Sequence, residues 1–340
     1  TCKIEGRKVM SDFDDVVISS RIRLARNIKN LNFPNRLSDY DEALSITKAI
    51  YEILNNIGDF EFFKIKNMTN IKSLVLLEKH LISKELLDNK DISSLAISYK
   101  DGLSVMINEE DHIREQCVLS GMCLDECYKR INELDELILD NFSIAYDEQF
   151  GFLTSSPSNL GTGMRASIML FLPALTMLGK IDSLASSVSK LGLTVRGAYG
   201  EGSLAKGYMY QISNENTMGK SEEELIKNVQ NVTIKICEME KEFRQELFAM
   251  QKDEILDICC RAWGILNNAH KISCDEAIKL ISEVKLGMCL YIKDLKIKNI
   301  DLLMEKIQPA HLIEEYGKEI SSNERDIFRM KVIKNWLEQK

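Results

Sequence analysis

A glycine-rich stretch in the middle of the chain combines small residues, hydroxyls and one arginine. It runs from Ser155 to Ala166 with the sequence SSPSNLGTGMRA. Gly161, Gly163 and Ala166 match the G-x-G-x-x-[G/A] spacing of dinucleotide-binding turns, in which backbone N–H groups approach a pyrophosphate. Arg165 lies within that spacing, and a guanidinium offers a planar fork of donors that suits phosphate oxygens. The stretch therefore indicates phosphate chemistry, through either its glycines or its arginine.

A second segment places two arginines on one face of a predicted strand. In the alternating sequence from Val16 to Leu24, Arg21 and Arg23 share a face, while Ile22 points to the other face. Two adjacent guanidinium groups repel each other unless an anion lies between them. The segment is therefore either an anion site or a solvated strand face.

A run of carboxylates continues another apolar strand. The sequence NEEDHIR covers 108–114, and if the extended conformation persists, Glu110, His112 and Arg114 share one face. Three consecutive carboxylates are costly to hold together without a cationic partner. The segment is therefore either an exposed turn, or a carboxylate that grips a cation beside an arginine that grips phosphate.

Three glycines follow the end of a further predicted strand, in the sequence RGAYGEGS at 196–203. Such a loop is either an ordinary flexible turn or a lid. A lid would close over a substrate and bring Glu201 to it as a second carboxylate.

The surrounding sequence argues against a dinucleotide site in the glycine-rich stretch. A dinucleotide site needs the glycines at the first strand-to-helix turn of a βαβ unit. Here they lie mid-chain, after Pro157 and several polar residues, with no clear parallel strand before Asp182. The chain also has no G-x-x-x-x-G-K-[ST] loop and no H-R-D or D-F-G sequence, which excludes P-loop and eukaryotic-type protein kinases.

Composition restricts the class of protein. The 340 residues are 45% apolar and 28% charged, as in an ordinary globular protein, and the net charge of -8 argues against a nucleic-acid binder. No apolar run reaches the length of a membrane span, and the N-terminal residues lack the apolar core of a signal peptide. Nine cysteines without a C-x-x-C pair favour reduced thiols over disulfides or zinc. We therefore expect a cytoplasmic protein without a protein-held metal, a nucleic-acid partner or a membrane partner.

The chain changes character near residue 250. Before it, hydrophobic periodicity predicts strands at 16–24, 59–65, 95–99, 103–108, 150–154, 193–196 and 208–213, and helices at 38–57, 71–87, 124–141, 166–178 and 182–190. From a capping box at Ser221 and Glu224 onward the pattern is helical, with another capped helix at Ser273. We place a domain boundary between 250 and 251.

The four segments, in this order, resemble the phosphagen (guanidino) kinase family over roughly Val16 to Ser213. The resemblance is closest to its bacterial protein arginine kinases of the McsB type. It rests on SSRIRLARN, KHLIS, NEEDHIR, NLGTGMRAS and LTVRGAYGEGS, followed by a helical extension. It implies an α+β fold, with a catalytic domain (1–250) built on a largely antiparallel sheet flanked by helices. An all-helical C-terminal domain (251–340) would follow as a candidate phosphoarginine-sensing and partner-binding domain. We expect the small helical domain that precedes the catalytic domain in creatine and free-arginine kinases to be absent.

The resemblance also assigns residues to an ATP site. Glu110 matches the carboxylate that orients the acceptor guanidinium and takes its proton, and Glu201 matches the second, loop-borne carboxylate. His80 matches a histidine near the nucleotide, although a lone histidine is equally consistent with a structural role. The phosphate-binding arginines would be Arg21, Arg23, Arg114, Arg165 and Arg196. The other implied nucleotide-site residues are Ser19, Ser20, Ile22, Ala166, Ser167, Ile168, Met169, Gly197, Ala198, Tyr199, Gly200 and Glu201.

The implied reaction is ATP-dependent phosphorylation of arginine side chains in proteins. An arginine side chain is protonated at ordinary pH, so carboxylates must align it with the γ-phosphorus and accept a proton as the N–P bond forms. Arginines and Mg²⁺, the latter held mainly by the nucleotide phosphates, would stabilise the charge on the equatorial oxygens. The alternatives are a kinase for free arginine or another small guanidino compound, and a catalytically silent ATP-binding regulator.

Two positions depart from the family pattern. Ser156 stands where phosphagen kinases usually carry a reactive cysteine, which removes thiolate chemistry from that position. Near the C-terminus, Arg325, Asp326 and Arg329 resemble the R-D-x-x-R-A motif that senses phosphoarginine, but Met330 replaces the alanine. The alternative for this second segment is a solvated helix face with an Arg–Asp pair.

The resemblance further implies a role in bacterial stress response and protein quality control. The implied partners are protein substrates with accessible arginines, an adaptor protein, a heat-shock repressor and a Clp-type chaperone. A homodimer is the expected assembly.

Overall fold

An eight-stranded antiparallel sheet organises the first part of the chain. The computed structural model describes residues 13–37, 40–198 and 205–338. Its strands are β1 (Val17–Arg26), β2 (Glu61–Lys64), β3 (Ser94–Ser98), β4 (Leu103–Ile107), β5 (Ile113–Ser120), β6 (Tyr146–Asp147), β7 (Gly151–Phe152), β8 (Met164–Phe171), β9 (Leu193–Gly197) and β10 (Met209–Asn214). The sheet has the order β2-β3-β4-β5-β1-β8-β10-β9, and β6 pairs with β7 in a separate hairpin.

Helices flank this sheet and make up the C-terminal region. They are α1 (Tyr40–Asn55), α2 (Asn70–Glu78), α3 (Lys84–Asp88), α4 (Leu124–Asn141), α5 (Pro173–Met177), α6 (Ile181–Ser189), α7 (Glu222–Met250), α8 (Lys252–Asn268), α9 (Cys274–Cys289), α10 (Ile300–Lys306), α11 (Pro309–Tyr316) and α12 (Ser322–Leu337). The capping box of Ser221 and Glu224 at the start of α7 is confirmed, as is the Ser273 cap of α9. The predicted Ser38 cap lies outside the described residues.

One face of the sheet packs against α1, α4 and α7. Ile22 and Leu24 of β1 and Ile168 of β8 belong to the largest apolar core, together with Ile131 of α4 and Val229 of α7. The inward orientation of Ile22 and Leu24 confirms the alternation predicted for β1. Arg21 and Arg23 consequently lie on the opposite face.

The opposite face carries two separate apolar clusters among the described residues. At the β2–β4 end, Leu95 and Met106 pack with Leu76 of α2. At the other end, Phe171 and Met209 belong to the core of the C-terminal helices. The arginine-bearing part of the sheet lies between these two clusters.

The single helix predicted over 71–87 is wrong, because the chain forms two helices, α2 and α3. The backbone at His80 has a φ of 56°, in the left-handed region that ends an α-helix. Ser83 then caps α3 by accepting a hydrogen bond from the N–H of Leu86 (3.2 Å). The segment from 79 to 83 is thus a turn between two helices.

The helix predicted over 166–178 is also wrong over most of its length. Residues 164–171 form β8, which pairs with β1 on one side and β10 on the other. A strand buried in the middle of a sheet reads as a nearly continuous apolar run, which periodicity does not separate from a helix. Only α5, which begins at Pro173, is helical there. The strand predicted over 150–154 shortens to β7.

The C-terminal helices α8 to α12 share a core that includes Leu266, Ile281, Leu303 and Ile333. The cysteines within the described ranges are all free thiols. Within the same ranges, no helix is long and apolar enough to cross a membrane. The fold is α+β, with a large antiparallel sheet, flanking helices and a helical C-terminal region.

Candidate active site

Arginines from neighbouring strands converge between the two apolar clusters of the open sheet face. Arg23 of β1 lies opposite Arg165 of β8 in the strand register. These two arginines and Arg114 of β5 line a cleft of about 130 Å³. Three cations around one small cleft form a site for an anion.

Two further arginines flank this cleft. Arg21 donates from Nη2 to Gln211 Oε1 (2.8 Å) and from Nε to Ser167 Oγ (3.4 Å). Arg196 of β9 is exposed and lies opposite Gln211 in the β9–β10 register. The five arginines singled out from the sequence are thus brought to one face of the sheet.

Burial and mutual repulsion depress the pKa values of these guanidinium groups. Burial, followed by the charges of Arg114 and Arg165, lowers the pKa of Arg21 to about 10. Burial and three neighbouring arginines lower the pKa of Arg23 well below its ordinary value. The Nε atoms of Arg23 and Arg165 are buried and have no hydrogen-bond partner within the described ranges. A phosphate oxygen in the cleft would supply both the missing partner and the missing counter-charge.

The carboxylate run forms the turn of the β4–β5 hairpin, so the predicted extended conformation is wrong. Asn108 has a φ of 54°, and its N–H donates to the carbonyl of His112 (2.9 Å). The turn places Glu110 on the wall of the same cleft as the arginines. Burial, and then the charges of Asp111 and Glu109, raise the pKa of Glu110.

The cationic partner that the carboxylate run required is Arg114. Its guanidinium forms a close ion pair with the buried carboxylate of Glu109. The other oxygen of Glu109 accepts a hydrogen bond from the backbone N–H of Glu110 (3.0 Å). Glu109 therefore holds a cleft arginine and the backbone of Glu110, the residue that carries the cleft carboxylate.

Asp111 ties the same turn to the glycine-rich stretch. Its Oδ1 accepts hydrogen bonds from Asn27 Nδ2 (2.6 Å) and from the N–H of Ser155 (2.7 Å). Ser155 Oγ donates in turn to the carbonyl of Glu110 (2.7 Å). Neither Asn27 nor Asp111 was singled out from the sequence, because their role depends on a contact between distant segments.

The glycine-rich stretch leads into a strand rather than a helix, which is inconsistent with a dinucleotide turn. Gly163 has a φ of 66°, and a Cβ atom there would lie 2.7 Å from the carbonyl oxygen of Ala25. Its glycine is therefore needed for close approach to β1. Ser156 lies on the cleft wall, with Oγ 2.9 Å from Ser158 Oγ.

The remaining residues assigned by resemblance divide between the two faces of the sheet. Ser167 contacts Arg21 on the cleft face, and Ser19 and Met169 alternate with the core-facing positions. The side chains of Ser20, Ile22, Ala166 and Ile168 are buried on the other face. Ser20 Oγ donates to the carbonyl of Gly121 (2.8 Å), which is a structural contact. Any contribution of these four residues to a nucleotide site would come from their backbone.

His80 lies in the turn between α2 and α3. The side chain retains solvent exposure, but desolvation by the surrounding protein, and then the charge of Arg21, lower its pKa to about 4. Its imidazole is therefore neutral at pH 7.

The glycine loop after β9 is described only at its start. Gly197 ends β9, and the N–H of Ala198 donates to the carbonyl of Met209 (2.8 Å). Tyr199, Gly200 and Glu201 lie outside the described residues.

The segment assigned to phosphoarginine sensing lies on α12. Arg329 is buried and donates to the carbonyls of Ile307 (2.9 Å) and Ile272 (2.8 Å) and to Asp326 Oδ1 (2.5 Å). Arg325 is half-buried, and its Nε has no hydrogen-bond partner in the described part of the chain. Met330 is buried in the C-terminal core.

Comparisons with known proteins identify the family of the chain. Residues 43–243 match the family model described as ATP:guanido phosphotransferase, C-terminal catalytic domain, and residues 252–340 match the protein-arginine kinase McsB C-terminal domain. The chain belongs to the ATP:guanido phosphotransferase family.

Relatives within this family match over almost the whole chain. The protein-arginine kinase of Caldanaerobacter subterraneus subsp. tengcongensis is 43% identical, over 96% of this chain and 98% of its own length. The protein-arginine kinase of Clostridium tetani is 40% identical over 96% of each chain. This guanido phosphotransferase is therefore an enzyme of the kinase class.

Solved structures of the family share its fold. A lombricine kinase superposes with a TM-score of 0.59 at 24% identity and covers 70% of each chain. The duplicated taurocyamine kinase from Schistosoma mansoni, solved with transition state analog components, gives a TM-score of 0.58 at 19% identity over 95% of this chain and 43% of that one. At these identities the similarity establishes the fold alone.

Proposed function

We propose that the protein transfers the γ-phosphoryl group of ATP to arginine side chains of other proteins. The observation that carries this proposal is the cleft lined by Arg23, Arg165 and Glu110, in which the Nε atoms of the two arginines have no hydrogen-bond partner among the described residues. Arginines suit the triphosphate, and a carboxylate suits the acceptor guanidinium. Relatives that match over nearly the full length are protein-arginine kinases, which supports a protein substrate.

The chemistry follows from the two charge types in the cleft. Arg23, Arg114 and Arg165 would hold the phosphate oxygens and stabilise the charge that spreads over them during transfer. Glu110 would align the acceptor guanidinium with the γ-phosphorus and take its proton as the N–P bond forms and the bond to the β-phosphate oxygen breaks. ADP leaves, and Glu110 releases the proton to solvent. We assign Glu201 the role of a second aligning carboxylate.

The nucleotide is proposed to act with Mg²⁺ held mainly by its own phosphates. The described residues contain no group of three or more His, Cys, Asp or Glu side chains suited to a metal ion. The cleft instead offers guanidinium donors, which fit phosphate oxygens directly. When bound, Mg²⁺ would add positive charge at the β- and γ-phosphates.

The test is a competition between acceptors. The protein is incubated with ATP and either an unfolded arginine-rich protein or free arginine, and acid-labile phosphate is measured on each. We expect phosphate mainly on the protein. Phosphate mainly on free arginine would replace the proposal with a small-molecule guanidino kinase, and nucleotide binding without transfer would replace it with a silent regulator.

We further propose that the region 251–340 is a helical C-terminal domain that senses phosphoarginine through Arg325, Asp326 and Arg329. The partnerless Nε of Arg325 supports this role for Arg325, because an anionic ligand would satisfy it. Arg329 already donates hydrogen bonds to Asp326 and two backbone carbonyls, so we assign it the role of holding α12 in place.

The wider setting is a proposal by family resemblance. We propose a cytoplasmic homodimer that acts in bacterial stress response and protein quality control, without a nucleic-acid or membrane partner. Its proposed partners are an adaptor protein, a heat-shock repressor and a Clp-type chaperone. Co-purification from stressed cells, followed by mass spectrometry, tests this setting.

A further inference from the structure

A carboxylate at the end of α2 caps a helix of the C-terminal region. Glu78 accepts hydrogen bonds from the backbone N–H groups of Ala310 (2.8 Å) and His311 (3.1 Å), in the first turn of α11. The same carboxylate lies 2.8 Å from His311 Nδ1. A carboxylate at a helix N-terminus satisfies free N–H groups and complements the helix dipole. Glu78 thus joins the sheet region to the C-terminal helices.

Additional charges strengthen this junction. The buried ring of His311 lies between Glu78 and Glu305, with Nε2 3.2 Å from Glu305 Oε1. Burial lowers the pKa of His311, but the two carboxylates outweigh it and raise the pKa overall. Lys79 adds a contact with Glu305 at 3.6 Å. The junction therefore combines two anions and two cationic groups contributed by both sides.

The chain reverses immediately after this junction and reaches the arginine face. His80 adopts its left-handed conformation here, and its carbonyl accepts a hydrogen bond from Gln116 Nε2 (3.0 Å). Gln116 of β5 lies opposite Arg23 in the strand register. Leu81 and Ile82 are then buried in the cluster beneath α2. The turn is thus anchored at its middle as well as at its start.

The last residue of the turn contacts the carboxylate that organises the cleft. Ser83 Oγ donates a short hydrogen bond to Glu109. Glu109 in turn holds the guanidinium of Arg114 and the backbone N–H of Glu110. Six residues, from Glu78 to Ser83, therefore connect the first turn of α11 to both a phosphate-site arginine and the proposed base.

We propose that Glu78 is a positioning residue through which the C-terminal helices set the geometry of the phosphate and acceptor sites. The segment from 78 to 83, which comprises the end of α2 and the turn, is fixed at both ends and at its middle, so a shift of α11 moves His80 and Ser83 together. Displacement of Ser83 changes the support of Glu109, and with it Arg114 and Glu110. This inference rests on the proposed kinase function for its kinetic consequence but not for its effect on nucleotide binding.

The test compares Glu78→Gln with Glu240→Gln. Glu240 is a matched control, because it also caps a helix start by accepting from the N–H groups of Ala174 and Leu175 (3.0 Å each), away from the turn. ATP binding is measured by calorimetry, Tm by thermal unfolding, and kcat and KM with a protein substrate. We expect Glu78→Gln to weaken ATP binding and lower kcat roughly threefold to thirtyfold at a temperature where both variants are folded. Glu240→Gln should lower Tm without either effect.

Equal losses in the two variants, or a lowered Tm of Glu78→Gln with unchanged ATP affinity and kcat, would reduce Glu78 to a structural contact. If Glu78→Gln does not fold, His311→Gln loosens the same junction from the other side and is measured in the same way. Combining Glu78→Gln with Ser83→Ala should reduce kcat by less than the product of the single effects, since both act through one turn. Purely multiplicative effects would contradict the connection. A third outcome would separate the two proposals. If Glu78→Gln weakens ATP binding as expected but neither the wild type nor any variant phosphorylates arginine, the proposed function is contradicted and the role of Glu78 is not.

Discussion

Arg23 of β1 and Arg165 of β8 face each other directly across an antiparallel strand pair, and the Nε atom of each is buried without a hydrogen-bond partner in the described ranges. Two like charges in register destabilise the folded protein in the absence of an anion, and an anion bound between them turns the same two groups into a stabilising contact. The pair therefore lowers the stability of the nucleotide-free protein and raises its affinity for nucleotide.

Replacing one arginine of this pair should change the stability of the nucleotide-free protein and the effect of ATP in opposite directions. We expect Arg165→Gln to raise the Tm of the nucleotide-free protein by about 1–3 °C, because the repulsion is relieved. The Tm increase on adding ATP should shrink in the same variant, because a phosphate contact is lost. Thermal unfolding with and without ATP measures both quantities.

Arg261→Gln is the control for that experiment, since Arg261 is an exposed arginine on α8 beside Asp257. Arg261→Gln should leave the Tm without ATP and the Tm with ATP unchanged within the error of the measurement. A lower nucleotide-free Tm in Arg165→Gln, together with an unchanged ATP effect, would show that Arg165 is a structural arginine.

The pH dependence of activity should report the raised pKa of Glu110. Burial and the neighbouring carboxylates favour its protonated form. Because the proposed base must be ionised, kcat/KM falls as the pH drops through that pKa. The acid limb should therefore lie above the ordinary glutamate pKa of about 4.3. A pH–rate profile checks this, and an acid limb at or below the ordinary value would argue against Glu110 as the base.

The raised pKa of Glu110 affects activity and folding stability in opposite directions as the pH rises. A carboxyl whose folded pKa is raised favours folding when it is protonated, and that contribution is lost as the pH rises through the folded pKa. Glu110→Gln keeps the neutral form at every pH. It should therefore be at least as stable as the wild type at pH 7, and any gain in Tm should disappear in acid.

Position 156 should accept the cysteine that the family usually carries there. Ser156 lies on the cleft wall among arginines, which would favour a thiolate. We expect Ser156→Cys to retain activity but to be inactivated by iodoacetamide, with protection by ATP. The wild type already has exposed Cys260 and serves as the control for alkylation elsewhere. Equal resistance of the variant and the wild type would show that the arginines do not act on this position.

Gly163 of the glycine-rich stretch should not tolerate a side chain. In Gly163→Ala, the new Cβ would meet both Arg26 Nη1 (2.6 Å) and the carbonyl of Ala25 (2.7 Å) at a φ of 66°. We expect a loss of stability of about 1–3 kcal/mol, measured by denaturant unfolding. Gly179→Ala is the control, because its φ is 64° but no atom lies within 4 Å of the new Cβ. Equal losses would mean that backbone strain alone, and not the contact with β1, explains the glycine.

The arginine face can be predicted from the sequence because the alternation of side chains along a strand is a local property. Arg21 and Arg23 were separable from Ile22 by period two alone. The errors arose where tertiary contacts decide the conformation. Strand β8 is apolar because both of its faces are buried, with Ile168 in the core against α4 and α7 and Phe171 in the core of the C-terminal helices. Asp111 orients the cleft only because the glycine-rich stretch returns beside it.

The break between α2 and α3 was missed for a similar reason. The apolar spacing of 71–87 continues through His80, and no glycine or proline marks the turn. Contacts of Glu78 with α11 and of Ser83 with Glu109 stabilise the turn, and both lie far away in sequence.

The most direct test of the central claim is phosphosite mapping under conditions that preserve N–P bonds. An unfolded arginine-rich protein is incubated with ATP and either the wild type or Glu110→Gln, and phosphoarginine is quantified by mass spectrometry. We predict phosphoarginine on the protein substrate with the wild type, and a loss of about 100-fold or more with Glu110→Gln, whose ATP affinity stays intact. No phosphoarginine with the wild type, or an equal amount with Glu110→Gln, would contradict the account.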